Sequence, residues 1–228
     1  AVTGSASMKV RHVDTNSAGK AYSMGNQLEF AGSGELDNGL DVKLSFVLDQ
    51  NDDSTAAGAA KSVNTGTPFD SHSVSIGSDA LGTLVFHGEG GSSAQSAIDT
   101  TAAGDLWDNS FGITAAQDPK ASNAPDNMIF YTLPSIVDGV ALTTSYSPKG
   151  SGVDSSMAYG IGYTGVEGLS VNYAVGEDNS AALNVDVTTM KASYAYGPIS
   201  IGYSDTEYDS ESTVTTVDQD VKSYNVSY

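Results

Sequence analysis

The chain has 228 residues, of which 39% are hydrophobic, and this is long enough for one large all-β domain. Its 28 acidic residues far outnumber its 9 basic ones, so the basic surface that binding to nucleic acid requires is missing. Cysteine is absent, which excludes disulfides, thiolate nucleophiles and cysteine-based metal sites.

Apolar and polar side chains alternate with a period of two residues along the whole chain, whereas helical periodicity is weak. Such alternation predicts antiparallel strands, because successive side chains of a strand point to opposite faces. The pattern predicts about twelve strands with the lengths of membrane-barrel segments. In chain order they are 2–13, 23–36, 40–48, 72–77, 83–88, 128–133, 140–147, 157–164, 169–176, 187–196, 199–205 and 221–228.

The connections between these strands alternate strictly between short and long. The short ones are 37–39, 78–81, 134–139, 165–168 and 197–198, and the long, polar ones are 14–22, 49–70, 89–127, 148–156, 177–184 and 206–220. Short turns on one side and long loops on the other are typical of bacterial outer-membrane barrels, and tyrosines near strand ends fit an aromatic girdle. We therefore predict an antiparallel transmembrane β-barrel, formed by residues 1–228 as a single domain.

The same pattern predicts that the chain lies in the bacterial outer membrane. No run of about 18 or more apolar residues occurs, so a membrane helix is excluded, but barrel strands can cross a membrane without such a run. Because the first residues already have a strand pattern, an exported chain would be the mature form without its signal peptide.

Two other classes of protein share part of this pattern. One is a secreted or surface-layer acidic β-rich protein, which would be soluble without detergent. The other is a barrel that serves adhesion, with its interior filled by side chains, since a count of twelve strands does not decide whether the interior is open.

Several segments resemble Gram-negative general diffusion porins, in the order in which porins have them. They are the opening segment 2–8, the segment 26–40 with the turn Asp37-Asn38-Gly39, the hairpin pieces 74–77 and 82–84, and the segments 127–135 and 141–146. The resemblance implies a 16-stranded homotrimeric barrel surrounded by outer-membrane lipid and lipopolysaccharide. Its function would be passive diffusion of ions and small hydrophilic solutes, without a cofactor. With about 12 strands, the chain is either a smaller barrel or a porin without its last hairpins.

The resemblance also identifies candidate site residues. It implies that the third long connection, 89–127, folds into the barrel as a constriction loop, with Asp99, Asp105, Trp107 and Asp108 on it. The facing wall would carry the basic residues Lys9, Arg11 and Lys43, with Glu29, Asp41 and Asp49 as acidic wall candidates. Since Arg11 is the sole arginine, we expect a mild preference for cations.

Other chemistry finds little support in the sequence. The acidic segment 49–53 lacks the glycine and glutamate positions of the helix–loop–helix calcium motif, and we interpret it as a solvated loop. His12, His72 and His87 lack zinc-site spacing, so no metal site is predicted. No serine elbow, P-loop or dinucleotide motif occurs, and we do not expect an enzyme.

Overall fold

The computed structural model describes residues 1–10, 22–49, 70–98, 119–122, 126–150, 154–179, 184–211 and 218–228. Within these ranges the chain forms one twelve-stranded sheet in which each strand pairs with the next along the chain. The strands are β1 (Val2–Val10), β2 (Tyr22–Glu35), β3 (Asp41–Asp49), β4 (Ser71–Ser78), β5 (Gly82–Glu89), β6 (Met128–Thr132), β7 (Val140–Ser147), β8 (Ser156–Tyr163), β9 (Leu169–Asp178), β10 (Val185–Tyr196), β11 (Ile199–Ser210) and β12 (Gln219–Ser227). The pairings are antiparallel, which confirms the all-β prediction and the number of strands. Among the described residues no helix is long and apolar enough to cross a membrane.

The predicted bounds agree closely with most strands, and β11 differs the most. The predicted segment 199–205 stops short of Ser210, where the strand ends. Nearer the short turn, the outer-face positions of this strand are apolar, but Glu207 and Asp209 occupy the outer-face positions farther along. The hydrophobic alternation therefore ends before the backbone pairing does. Of the predicted first strand 2–13, residues 11–13 lie outside the described ranges.

The turn between β2 and β3 forms where Asp37, Asn38 and Gly39 predict it. The amide of Leu40 donates a hydrogen bond to Asn38 Oδ1 at 3.3 Å, and Gly39 has a φ of +80°. A residue with a Cβ is strained at such a φ, which explains why glycine suits this position.

The long connections at the opposite end contact one another. The amide of Asp154, between β7 and β8, donates to the carbonyl of Asn179, which follows β9. Lys149 pairs with Asp154 within the same connection, and the hydrogen bond to that carboxylate raises the pKa of Lys149 above its ordinary value. Both side chains are largely exposed, so the pair contributes little to stability.

Paired residues share a face, so the register divides the side chains of the sheet into two sets. The inner face is the one against which the connection between β5 and β6 packs. On β8 the outer face carries large exposed side chains, namely Met157, Tyr159, Ile161 and Tyr163. The inner face of β8 carries small residues, namely Ser156, Ala158, Gly160 and Gly162. This is the reverse of a water-soluble protein and is the arrangement of a barrel surrounded by lipid.

Toward the long connections, the outer face of β9 to β12 changes from apolar to charged. The residues there are Glu177, Asp186, Asp205, Glu207, Asp209, Asp220 and Lys222. Charged side chains are costly in hydrocarbon, so the apolar band ends below this row.

Strands β1 and β12 form the two edges of the sheet. Within the described ranges each of them pairs with one neighbour, so the sheet is not closed. Apolar side chains on these edge strands are well exposed, for example Val226 at 78% and Met8 at 65%.

Candidate functional site

The connection between β5 and β6, hereafter the third connection, begins by folding onto the inner face. Residues 93–98 form a compact turn, in which the amide of Ala97 donates to the carbonyl of Ser93 at 2.9 Å. The amide of Ala94 donates to Ser145 Oγ on β7, also at 2.9 Å, and both residues are buried. The start of the third connection is therefore attached to the wall.

Two described parts of the third connection, residues 93–98 (the first limb) and 119–122 (the second limb), are joined by Gln95, which also fixes them to β10. Its Nε2 donates to Thr189 Oγ1 at 2.8 Å, and its Oε1 accepts a hydrogen bond from the amide of Ser122 at 2.7 Å. Thr189 in turn lies 3.0 Å from Thr206 Oγ1 on β11. Gln95 has no exposed surface, so each of these bonds replaces one that water would otherwise make.

A contact between two serine hydroxyls also joins the two limbs of the third connection. Ser93 Oγ lies 2.6 Å from Ser122 Oγ, and both side chains are buried. The two limbs are thus held to each other as well as to the wall.

Glycines on the wall make room for this packing. A Cβ added at Gly176 of β9 would lie 2.7 Å from Ser122, and one at Gly160 of β8 would lie 3.2 Å from the carbonyl oxygen of Ala94. Because both distances are shorter than van der Waals contact, residues with side chains at these positions would displace the third connection.

The second limb contacts β11 and β12 through Lys120. Its amide donates to Gln219 Oε1 at 2.7 Å, and its Nζ lies 4.7 Å from the ring centroid of Tyr208. Tyr208 is buried and donates from its hydroxyl to Asp178 Oδ2 at 2.8 Å. An ammonium over an aromatic face is an attractive contact, so Lys120 helps to position this limb.

The predicted wall residues that the structure describes lie together on the inner face. The register places Glu29, Asp41 and Lys43 there, on β2 and β3, and Ser45 Oγ donates to Glu29 Oε1 at 2.9 Å. The backbone of Lys9 pairs with Ser23, which assigns this position to the same face. Asp49 is likewise at an inner-face position by its pairing with Gln27.

The remaining predicted residues lie outside the described ranges. These are Arg11 and the four residues of the third connection, Asp99, Asp105, Trp107 and Asp108. His12 and residues 50–53 of the acidic segment are also outside them. Their roles stay predictions.

Three carboxylates on the outer face come close enough to share a metal ion. Oxygens of Asp205, Glu207 and Asp220 lie within 4.8 Å of one another. However, Lys222 Nζ lies 2.7 Å from Asp220 and 3.4 Å from Asp205, so a cation already neutralises part of this cluster. We therefore assign no metal to it.

The residues that attach the third connection to the wall are not marked in the sequence. Ser93 and Gln95 lie in one segment without periodicity and Ser122 lies in another, and Thr189 is one of several threonines in the strands. One feature of the sequence could have indicated this contact. Many inner-face positions of β7 to β11 carry small or hydroxyl side chains, which leave room for the backbone of a loop packed against the wall and can hydrogen-bond to it.

Comparisons with known proteins agree with the antiparallel barrel-like sheet described above. A family described as Gram-negative porin matches residues 1–228. No curated protein matches the chain. Among solved structures, OmpF of Salmonella typhi in complex with daunomycin is similar with a TM-score of 0.58 and 12% identity, over 99% of this chain and 71% of that one. The anion-selective porin of Comamonas acidovorans is similar with a TM-score of 0.56 and 17% identity, over 99% and 72% of the two chains.

Proposed function

The chain belongs to the Gram-negative porin family and is located in the bacterial outer membrane, and we propose that it forms a water-filled channel for passive diffusion of ions and small hydrophilic solutes. Membership of this family points to a channel rather than an enzyme. The secreted or surface-layer alternative is disfavoured by the outer face, because large exposed side chains such as Tyr159 and Ile161 would be costly in water.

The observation that carries the proposal is the third connection on the inner face. Its limbs are attached to β7, β10 and β12 by buried and partly exposed hydrogen bonds. Both described parts of the third connection are thus held on the inner wall. We therefore infer that 89–127 is a constriction loop, with Asp99, Asp105, Trp107 and Asp108 as its predicted constriction residues.

The charges of the inner face support a mild preference for cations. Inner-face side chains include the carboxylates Glu29, Glu35, Asp41 and Asp178 and the ammonium groups Lys43 and Lys191. The predicted wall residues Lys9 and Arg11 would add positive charge, and the predicted acids Asp99, Asp105 and Asp108 would add negative charge. Rings of fixed charge select permeant ions of the opposite sign.

Reversal potentials in a salt gradient test this preference. We expect the unsubstituted channel to favour the cation, and the double variant Glu29→Gln with Asp41→Asn to lose most of that preference. Lys43→Gln should strengthen it, because it removes an inner-face positive charge.

Glu207→Gln is the matched control, since it removes a carboxylate of the outer face. A reversal potential that favours the anion, or an equal effect of the control, would contradict the assignment of these wall residues.

We also infer a homotrimer embedded in outer-membrane lipid and lipopolysaccharide. This inference rests on the family, whose members are typically trimers. Chemical cross-linking in native membranes would show a trimer band if it holds and a monomer band if it does not.

A further inference from the structure

The two edge strands have directions and faces that are compatible with pairing to each other. β1 begins at the end of the sheet that has the short turns, and β12 ends there, so the two strands are antiparallel. Val2, Ala6 and Met8 of β1 lie on the outer face, and so do Tyr224 and Val226 of β12. A pairing of β1 with β12 therefore continues the separation of faces around the sheet.

The stagger between the strands is large. A line of directly paired outer-face residues crosses the sheet from Gly34 on β2 to Asp220 on β12. The residues between them on this line are Val42, Ile76, Leu84, Tyr131, Thr144, Tyr159, Val175, Thr188 and Glu207. Gly34 is the last residue but one of β2, beside a short turn, whereas Asp220 is the second residue of β12, beside a long connection. The line thus moves from one end of the strands to the other, as it does in a tilted sheet that closes into a barrel.

A closed ring of twelve strands requires a stagger of this kind. Barrel strands tilt by roughly 35–45° from the barrel axis. For twelve strands spaced about 4.8 Å apart, with a rise of about 3.4 Å per residue, this tilt corresponds to a total stagger of about 12 to 16 residues. The stagger must also be an even number of residues, because an odd one would bring outer side chains opposite inner ones.

The registers of the sheet then predict where the two edges meet. Gly34 is four residues past Phe30, which pairs with Val2, so the line passes β1 four residues before Val2. A stagger of about 12, 14 or 16 residues brings this line back to β1 near or just beyond its upper end. The residues opposite Ala6 in these three registers are, in the same order, Tyr224, Val226 and Tyr228.

We propose that β1 and β12 pair with each other, so that the twelve strands close into a ring without a strand from another chain or from outside residues 1–228. Each edge strand has nine residues, which is enough for a membrane-barrel segment. Closure gives hydrogen-bond partners to backbone groups that hydrocarbon cannot satisfy. It also covers side chains that are exposed at the open edges, such as Val2 at 62% and Tyr224 at 74%.

Disulfide trapping tests this pairing, because the chain has no cysteine of its own. Three full-length double variants carry Ala6→Cys together with Tyr224→Cys, Val226→Cys or Tyr228→Cys. Directly opposite residues of antiparallel strands have Cα atoms about 4.5–5.5 Å apart, which is within the reach of a disulfide. The variants are oxidised in outer membranes, and only protein that migrates as folded in unheated gels is scored.

Two further double variants are the controls. Gly4→Cys with Leu28→Cys is the positive control, since these two residues are paired between β1 and β2. Ala6→Cys with Asn225→Cys is the matched negative control, since Asn225 lies on the inner face of β12.

We expect one of the three test pairs to form several times more disulfide within one chain than the negative control does. Mass spectrometry of the linked peptides identifies the register. No cross-link in any of the three, with the positive control oxidised, would overturn the proposal and indicate that another strand separates the two edges. Cross-links between two chains would also overturn it, because the edges would then pair between copies.

The closed ring also limits the size of the solutes, a consequence that rests on the proposed channel. Twelve strands at this tilt form a ring about 24 Å across between backbones, compared with about 32 Å for sixteen strands. With the third connection attached inside it, the narrower ring admits ions and the smallest hydrophilic solutes. In vesicle swelling assays we expect a monosaccharide to enter much faster than a trisaccharide, and equal rates would contradict this limit.

The ring and the channel fail or hold separately. Cross-linking of the edges in a chain that admits no solute would keep the closed ring and reject the channel. Swelling without cross-linking of the edges would do the opposite.

Discussion

Gln95 shows how one neutral side chain can determine the position of a loop. Both ends of its amide are bonded, to Thr189 and to the backbone of Ser122, and no water reaches it. Replacing one partner in such a network leaves buried donors and acceptors without partners, which costs about 1–3 kcal/mol per group.

We therefore expect Gln95→Ala to release the third connection from β10. Single-channel recordings should then show larger and more variable conductance steps, because the loop no longer occupies one position. Gln27→Ala is the control, since Gln27 is an exposed glutamine of β2 whose Oε1 accepts a long hydrogen bond of 3.5 Å from Ser5 Oγ. Identical conductance in the two variants would show that Gln95 does not position the loop.

For single residues, the sequence predicts well which face of a strand a residue occupies, and it predicts loop contacts poorly. A period of two residues assigns Glu29, Asp41 and Lys43 to one face, and the register places them there. The partners of Gln95 could not be predicted, because Thr189 is far from it in sequence and nothing local marks either residue. Contacts that depend on how a loop folds back are set by tertiary structure.

Among the strands, most separate large apolar outer side chains from smaller or more polar inner ones, although β6 has Met128 and Phe130 on its inner face. The sequence predicted the twelve strands because this separation produces the alternation directly. It underestimated β11, where acidic residues replace apolar ones on the outer face beyond Tyr203. Hydrophobic alternation therefore marks the part of a strand that contacts lipid and not the whole hydrogen-bonded strand.

Lysine substitutions on the two faces of neighbouring strands test which face contacts lipid. Ile161 lies on the outer face of β8 and pairs with Leu142 of β7. Ala141, the residue before Leu142, lies at nearly the same height but on the inner face. We expect Ile161→Lys to lower the free energy of unfolding from vesicles by about 2–4 kcal/mol, the cost of lysine near the middle of a bilayer. Ala141→Lys should cost much less, because inner-face positions are in water. Urea titrations in lipid vesicles measure both values, and equal costs would contradict the assignment of faces.

For the whole molecule, the main structural constraint is the two sheet edges at β1 and β12, for which the described residues provide no further partner strand. Each backbone group left without a hydrogen bond in hydrocarbon costs several kcal/mol, so an open edge is not stable in a bilayer. In the membrane these edges therefore pair, with each other or with further strands. The alternation of the sequence predicts strands and their order, but it does not determine how the edges close, because closure depends on the stagger between strands.

We propose that this chain forms an open channel narrowed by its third connection. The most direct test is single-channel recording in a planar bilayer, with the unsubstituted chain purified in detergent. We predict stepwise openings whose current is proportional to voltage, as expected for a water-filled pore. A correctly folded, membrane-inserted chain that carries no current would contradict the claim and would indicate a barrel with a closed interior.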